Sequence, residues 1–322
     1  MRVTRRNLMA LAFSVLALSH PAVKAQDFPA RPVRLVLPYP AGGLSDVTTR
    51  TLAERLSKRW GQPVIVDNKP GATSQIGTQY AVRAEPDGYT LLVAERSANI
   101  NPFIFANLPY QFARDLQPVA KLFTGSTVIA VPANSPFNSA QALLSAARDK
   151  PRTLNYATFG NGSFTHIDTE ALLKKHGATA AHVPYKGYSE IFTALQAGDV
   201  DFALVSAGQS VPLVKAGRIK VLAYMDDVRH PDLPQVPSAK ELNLVNSGSW
   251  SGLFAPAKTP AHIVEKISRD VQQVLEDPSL VASYSQLGLL VTYMAPQPFA
   301  SFMNAEREYI GGIVKSLDLK PN

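Results

Sequence analysis

The sequence predicts an α/β fold built from roughly two domains, and three observations carry that prediction. Short β-rich runs alternate with helical stretches, the pattern of strand–helix units with largely parallel sheets. The pattern also restarts: one βα series begins at residue 33 and a second at residue 126. Finally, the 322 residues include no cysteine, so an exported chain must rely on hydrophobic cores rather than disulfides. About 297 residues remain after the leader described next, enough for two cores of ordinary domain size.

Residues 1–25 stand apart from the fold. Arg2, Arg5 and Arg6 precede an apolar run from Leu8 to Leu18, shorter than the about 20 residues a membrane span needs. Val23-Lys24-Ala25 then supplies the small residues of a cleavage site. The segment reads as a secretory signal peptide cut after Ala25. "TRRNLM" also resembles a twin-arginine signal, so the sequence leaves both export routes open. No later apolar stretch reaches spanning length, and the mature chain is expected to be soluble.

The formal charge of +7 falls once the leader is set aside. Removing Arg2, Arg5, Arg6 and Lys24, with no acidic residue lost, leaves 28 Lys+Arg against 25 Asp+Glu. No dense basic run survives, so there is no nucleic-acid footprint.

Element by element, the first strand is 33–37. The first helix covers 46–60, with Leu52, Leu56 and Trp60 four apart on one face. Ser45 or Asp46 is expected to cap it and Gly61 to end it. "PVIVDN" (63–68) is the second strand, followed by a helix at 73–84, the turn 85–88 and a strand at 89–94. The second series has a strand at 126–133, helix 139–148, strand 154–158, helix 165–175 and strand 180–184. It continues with helix 189–197 and strands 200–206 and 219–224. A Pro-rich polar stretch, 226–238, interrupts the pattern, which resumes at 249–257 and helix 260–276. The last helix, 298–317, carries Phe299, Phe302, Met303, Ile310, Ile313 and Leu317 at helical spacing, read as a core stripe.

Catalytic signatures are weak. There is no G-x-S-x-G elbow. Ser163 lies three residues before His166, but proximity in sequence supplies neither contact nor an orienting carboxylate. His166, His176, His182, His230 and His262 show no metal-ligand spacing. "PAGGLSD" and "PGATSQIG" lack both the dinucleotide glycine spacing and the phosphate-loop lysine. The chain is therefore expected not to be an enzyme and to need no metal or cofactor.

Two glycine-rich strand-to-helix turns remain: "PYPAGGLSD" (38–46) and "TFGNGSFTH" (158–166). A helix start offers unpaired N–H groups and partial positive charge, and glycine lets a ligand approach the backbone. Facing each other across a cleft, the two turns would grip a small anion from both sides.

These segments also carry a resemblance. "RPVRLVLPYPAGGLSD", "RLSKRWGQPVIVDNKPGA", "PDGYTLL", "NYATFGNGSFTHI", "HVPYKGYSE", "LQAGDVDF", "VKAGRIKVLA", "LPQVPSAKEL" and "SWSGLFAPAKTP" occur in order over nearly all of the mature chain. In them the chain resembles the tripartite tricarboxylate transporter substrate-binding proteins, the Bug family of periplasmic solute-binding proteins.

The resemblance implies a type II periplasmic-binding-protein fold, two lobes with a ligand cleft between them. Lobe 1 would comprise 27–124 and 226–322 and lobe 2 125–225, with crossovers near Thr124–Ser126 and Ala223–Asp226. It implies a periplasmic monomer that captures a small carboxylate (amino acid, di- or tricarboxylate, aromatic acid) and hands it to membrane permease subunits. The alternative is the same module as the input of a membrane sensor.

Tyr39, Ala41, Gly42 and Gly43 would form the first wall, with Asp46 capping the helix behind it. Ser163 and Thr165 would form the facing wall, beside Tyr185. Ser206, with Val205, stands where an Asp-Asn pair is common. Glu95 and Arg96 depart from the small polar residues usual after "YTLL", and Phe164 replaces a smaller residue. These departures mark Glu95, Arg96, Phe164 and Ser206 as candidate specificity positions.

Overall fold

The computed structural model describes residues 28–316, apart from Val228 and Asn246. The leader, its cleavage site and Leu317 lie outside the described residues.

The strands are β1 (Val33–Leu37), β2 (Val64–Asn68), β3 (Thr90–Glu95), β4 (Leu116–Gly125), β5 (Thr127–Pro132), β6 (Asn155–Thr158), β7 (Ala181–Pro184), β8 (Phe202–Ser206), β9 (Ile219–Tyr224), β10 (Ser249–Pro256) and β11 (Leu289–Met294). The helices are α1 (Leu44–Trp60), α2 (Gln75–Val82), α3 (Ser97–Ile104), α4 (Phe112–Asp115), α5 (Ala140–Asp149), α6 (Phe164–Lys175), α7 (Tyr188–Ala197), α8 (Ala207–Lys215), α9 (Ala261–Leu275), α10 (Pro278–Gln286) and α11 (Pro296–Ser316).

They form two sheets, β11-β4-β10-β3-β1-β2 and β7-β6-β8-β5-β9. Each is the centre of a lobe covered by helices on both faces. In β1, Leu35 and Leu37 point to the cluster formed with Leu52 and Leu56 of α1 and Ile267 of α9. Val36, one residue out of phase, packs with Phe254 and Phe299 on the other face. Full burial of each such side chain contributes about 1.5–3 kcal/mol.

The sheets are more mixed than expected. Only β2-β1-β3 and β7-β6-β8 are parallel. β10 runs antiparallel to β3 and β4, and β5 antiparallel to β8 and β9. β5 enters its sheet directly from β4 of the other sheet, with Ser126 alone between them.

The sequence reading passed over β4 because Pro118 and Lys121 interrupt it. The register shift between Leu253 and Phe254 brings Phe254 opposite Pro118, where the lost N–H is tolerated. The helix expected at 73 begins at Gln75, because Ala72, Thr73 and Ser74 all have positive φ (47°, 51° and 70°).

The chain crosses between sheets at Ser126 and again between β9 and β10. Asp226 ties the crossings together, accepting from the Thr127 N–H at 3.0 Å and the Ser126 hydroxyl at 3.3 Å. Beyond residue 226, Leu233 and Val236 pack with the second sheet, as do Ala239, Leu244 and Val245.

Helix α11 begins on the first sheet, where Phe299 and Met303 meet Trp250. It ends beside α6 of the second, where Ile310 and Val314 meet Ile167. Phe302 and Ile313 of the expected stripe are only partly buried.

Candidate functional site

A cavity of about 540 Å³ lies between the lobes. Tyr39, Gly43, Leu44, Ser45 and Glu95 line it from lobe 1; Phe159, Phe164, Lys186, Tyr188 and Ser206 line it from lobe 2. A larger and more open groove of about 660 Å³ runs along Lys69, Tyr80 and Arg83, but lobe 1 alone forms it.

The first wall follows from the turn after β1. Gly43, not Ser45 or Asp46, is the N-cap of α1, in an extended conformation (φ −78°, ψ 173°). Asp46 falls in the first turn and reaches back instead: its Oδ2 accepts from the Gly42 N–H at 2.9 Å and from Arg50 Nε at 2.9 Å. Its Oδ1 accepts from Asn68 Nδ2 at 2.8 Å. The Arg50 hydrogen bond, with those of Gly42 and Asn68, outweighs burial and lowers the Asp46 carboxyl to a pKa of about 2.

The Gly42 amide is thus already spent, and neither Ala41 nor Gly42 lines the cavity. Of the first wall expected from the sequence, Tyr39 and Gly43 line the cavity. The amides that remain are those of Leu44 and Ser45, in the first turn of α1, where no intrahelical acceptor exists. Both residues border the cavity, and the positive end of the helix dipole lies there.

Glu95 ends β3 beside this helix start. It accepts a hydrogen bond from the Ser45 hydroxyl. Burial raises its pKa. Among the described residues no Lys, Arg or His nitrogen pairs with it. The Tyr39 hydroxyl lies 3.0 Å from Ser97 Oγ; burial, then the neighbouring Glu95 charge, pushes its pKa well up.

Arg96 turns the other way. It pairs through Nη1 with Asp168 of α6 and through Nε with Glu306 of α11 at 3.0 Å. Arg96 is buried and absent from the cavity lining, because its charge is satisfied only by these two carboxylates. Burial alone would lower its pKa; attraction to Asp168 and Glu306 prevails and raises it.

On the second wall, Ser163 caps α6, its Oγ accepting from the His166 N–H at 3.2 Å. Thr165 is fully buried, and its Oγ1 accepts from the Phe159 N–H at 3.1 Å. Both residues hold the turn in shape, and neither lines the cavity. The His166 ring does not approach Ser163 as a base would. Its Nδ1 accepts from the Gly162 N–H at 3.1 Å, and the ring stacks on His182 with centroids 4.3 Å apart. Burial, then the neighbouring His182, lowers its pKa to about 4.

Phe164 faces the cavity, as does Phe159, which meets Phe164 and Tyr188 edge-on at centroid distances of 5.6 and 4.4 Å. In "VPYKGYSE" the cavity tyrosine is Tyr188 and not Tyr185. Tyr185 belongs to a separate surface depression with Ser189 and Thr193. Gly187, the N-cap of α7 in the same motif, could have pointed to its neighbour Tyr188. Phe123, Trp250 and Leu289, from β4, β10 and β11, also line the cavity. Their strands were passed over or not read as bordering the site.

The lobes meet around this space. A Cβ added at Gly162 would lie 2.8 Å from Ile104 Cγ2, and one at Gly208 of α8 would lie 2.3 Å from the Cα of Gly288. With the Arg96–Asp168 pair, these approaches hold lobe 1 against lobe 2.

Comparison with known proteins agrees with this architecture. The family model described as "Tripartite tricarboxylate transporter family receptor" matches residues 48–319. A Pseudomonas sp. (strain P51) "UPF0065 protein in tcbD-tcbE intergenic region" is 33% identical over 94% of this chain and 91% of its own length. A TctC solute-binding protein from Polaromonas superposes with a TM-score of 0.80 at 29% identity, covering 90% of this chain and 99% of that one. Rpa4515 of R. palustris, solved with adipate, gives 0.79 at 29% identity, covering 92% and 100%. MatC of Rhodopseudomonas palustris, solved with malate, gives 0.73 at 28% identity, covering 89% and 100%. A two-lobed α/β chain matched over 48–319 in this way is a member of the tripartite tricarboxylate transporter receptor family, the group that includes the Bug-type periplasmic binding proteins.

Proposed function

We propose that this protein captures a small carboxylate in the interlobe cavity and delivers it to membrane permease subunits, acting in the periplasm after removal of residues 1–25. The observation that carries the reading is the start of α1. Leu44 and Ser45, whose amides have no acceptor within the helix, border a cavity between the two lobes. The adipate and malate held by the similar proteins support the same ligand class. A 540 Å³ cavity is in the range of small-molecule sites. In this reading lobe 1 is the part built on β1–β4, β10 and β11 and lobe 2 the part built on β5–β9. Closure is favoured by ligand contacts available only when both walls are in reach.

A thermal-shift screen of the mature chain against succinate, malate, citrate, adipate, benzoate and the common amino acids tests the proposal. A ligand at 100 times its Kd adds about 2.7 kcal/mol of stability, a shift of a few degrees for lobes of this size. A flat response to every carboxylate, with hits confined to neutral or purely cationic compounds, would overturn it.

A further inference from the structure

Glu95 is the charge the cavity leaves unanswered. It lines the space and receives the Ser45 hydroxyl, and among the described residues it has no cationic partner. Arg96, next in sequence, is committed to Asp168 and Glu306. Lys186 also lines the cavity but is exposed. Glu95 is half-buried and held by the hydroxyls of Ser45 and Tyr39; hydroxyls leave its charge uncompensated, and a second carboxylate set against it would add like-charge repulsion. A cation there would remove both costs. Yet the amides of Leu44 and Ser45, immediately beside Glu95, suit an anion. One lobe therefore presents an anion-binding and a cation-binding group side by side, and the opposite wall is aromatic: Phe159, Phe164 and Tyr188.

We infer that the ligand is an α-amino acid with an apolar or aromatic side chain. Its carboxylate lies on the Leu44 and Ser45 amides, its ammonium on Glu95, and its side chain among Phe159, Phe164 and Tyr188. The inference rests on the carboxylate reading above and narrows it. An α-amino acid carries its two charges on one carbon, which matches the adjacency of Ser45 and Glu95.

Calorimetry on the mature wild-type chain tests this with matched probes: phenylalanine, leucine and methionine; the deamino analogues 3-phenylpropanoate and 4-methylpentanoate; and phenylalaninamide, which lacks the carboxylate. At least one of the three amino acids should bind, and phenylalanine or leucine roughly tenfold or more tighter than its deamino analogue, the worth of a charge-assisted hydrogen bond. In Glu95→Gln that ratio should collapse toward one. Deamino analogues that bind wild type as tightly as the amino acids overturn the inference and leave the carboxylate reading standing. Phenylalaninamide binding as tightly as phenylalanine overturns the carboxylate reading instead. No binding by any of the three amino acids at millimolar concentration overturns the inference as stated. The wild-type comparison decides the matter even if the Glu95 variant does not fold.

Discussion

Arg96 of lobe 1 and Asp168 of lobe 2 form an ion pair across the interface, with side chains only 4% and 0% exposed. Asp168 also receives the Ser247 hydroxyl, and Arg96 also holds Glu306 on α11. The pair therefore joins the start of α3, α6 and α11. Breaking a buried pair leaves an uncompensated charge, which costs far more than losing the pair as a unit.

Arg96→Met should accordingly destabilise the protein by about 3 kcal/mol, read from urea denaturation. Combining it with Asp168→Leu should recover part of that loss. A single-variant loss below about 1 kcal/mol would show the pair to behave as a solvated one.

Gly208→Ala should keep the lobes apart. The added Cβ would sit 2.3 Å from Gly288 Cα and 2.7 Å from its N, and backbone atoms cannot swing aside as a side chain can. Helix α8 itself gains from alanine, by roughly 1 kcal/mol of propensity, so local unfolding is not the expected outcome. Affinity for the best carboxylate of the thermal-shift screen should fall more than tenfold, equivalent to about 1.4 kcal/mol. Unchanged affinity would mean that closure does not bring these glycines together.

Gly42 and Gly43 should separate fold from function. Gly43 lines the cavity and has φ −78°, which any residue adopts, so Gly43→Val should fold normally and bind poorly. Gly42 has φ +83° and open space where a Cβ would go. Gly42→Val should therefore lose about 1–3 kcal/mol of stability through backbone strain, while a folded fraction still binds. Paired melting and calorimetry curves distinguish the two, and the reverse pattern would disprove the assignment of Gly43 to the wall.

Phe164→Ala should weaken binding of aromatic ligands more than of aliphatic ones, because the ring lines the cavity and is braced edge-on by Phe159 at 5.6 Å. Equal losses for benzoate and succinate would assign Phe164 to packing alone.

The histidine pair predicts a pH dependence. The folded His166 pKa is about 4 against 6.5 unfolded, and that of His182 is also lowered by burial. Between these values the unfolded chain binds more protons, so this contribution is complete above about pH 6.5 and is lost as pH falls toward 4. Asp46, lowered to about 2, contributes above its unfolded pKa and loses that contribution only below about pH 3.8. Melting temperature should decline between pH 6.5 and 4, and His166→Gln should flatten the slope. An equal slope in the variant would rule out His166 as a source.

Much of the fold was legible because its strands and helices keep their periods. β1, β5 and α1 fall where apolar spacing puts them, each within two residues of the expected limits. β4 was hidden because Pro118 and Lys121 sit at register shifts that only pairing with β10 reveals. Of the site, the two turns were found, but not which atoms they free. Gly42 and Thr165 look available in sequence, and Asp46 and Phe159 consume them in space. Glu95 and Arg96 are adjacent letters with opposite fates, because β3 ends at Glu95 and Arg96 already has helical backbone angles (φ −52°, ψ −28°) as the N-cap of α3, which turns its side chain toward Asp168 and Glu306.

In the proposed binding mode the start of α1 meets the carboxylate with the main-chain nitrogens of Leu44 and Ser45, which no substitution short of proline removes. Side-chain changes at Leu44 and Ser45 leave those nitrogens in place, whereas the neighbouring contact hangs on the one side chain of Glu95. Glutamate codons lie a single base from those of glutamine and of lysine. Descendants of this chain could therefore exchange an ammonium-bearing cargo for a plain or doubly charged acid in one mutational step, with the grip on the first carboxylate intact throughout.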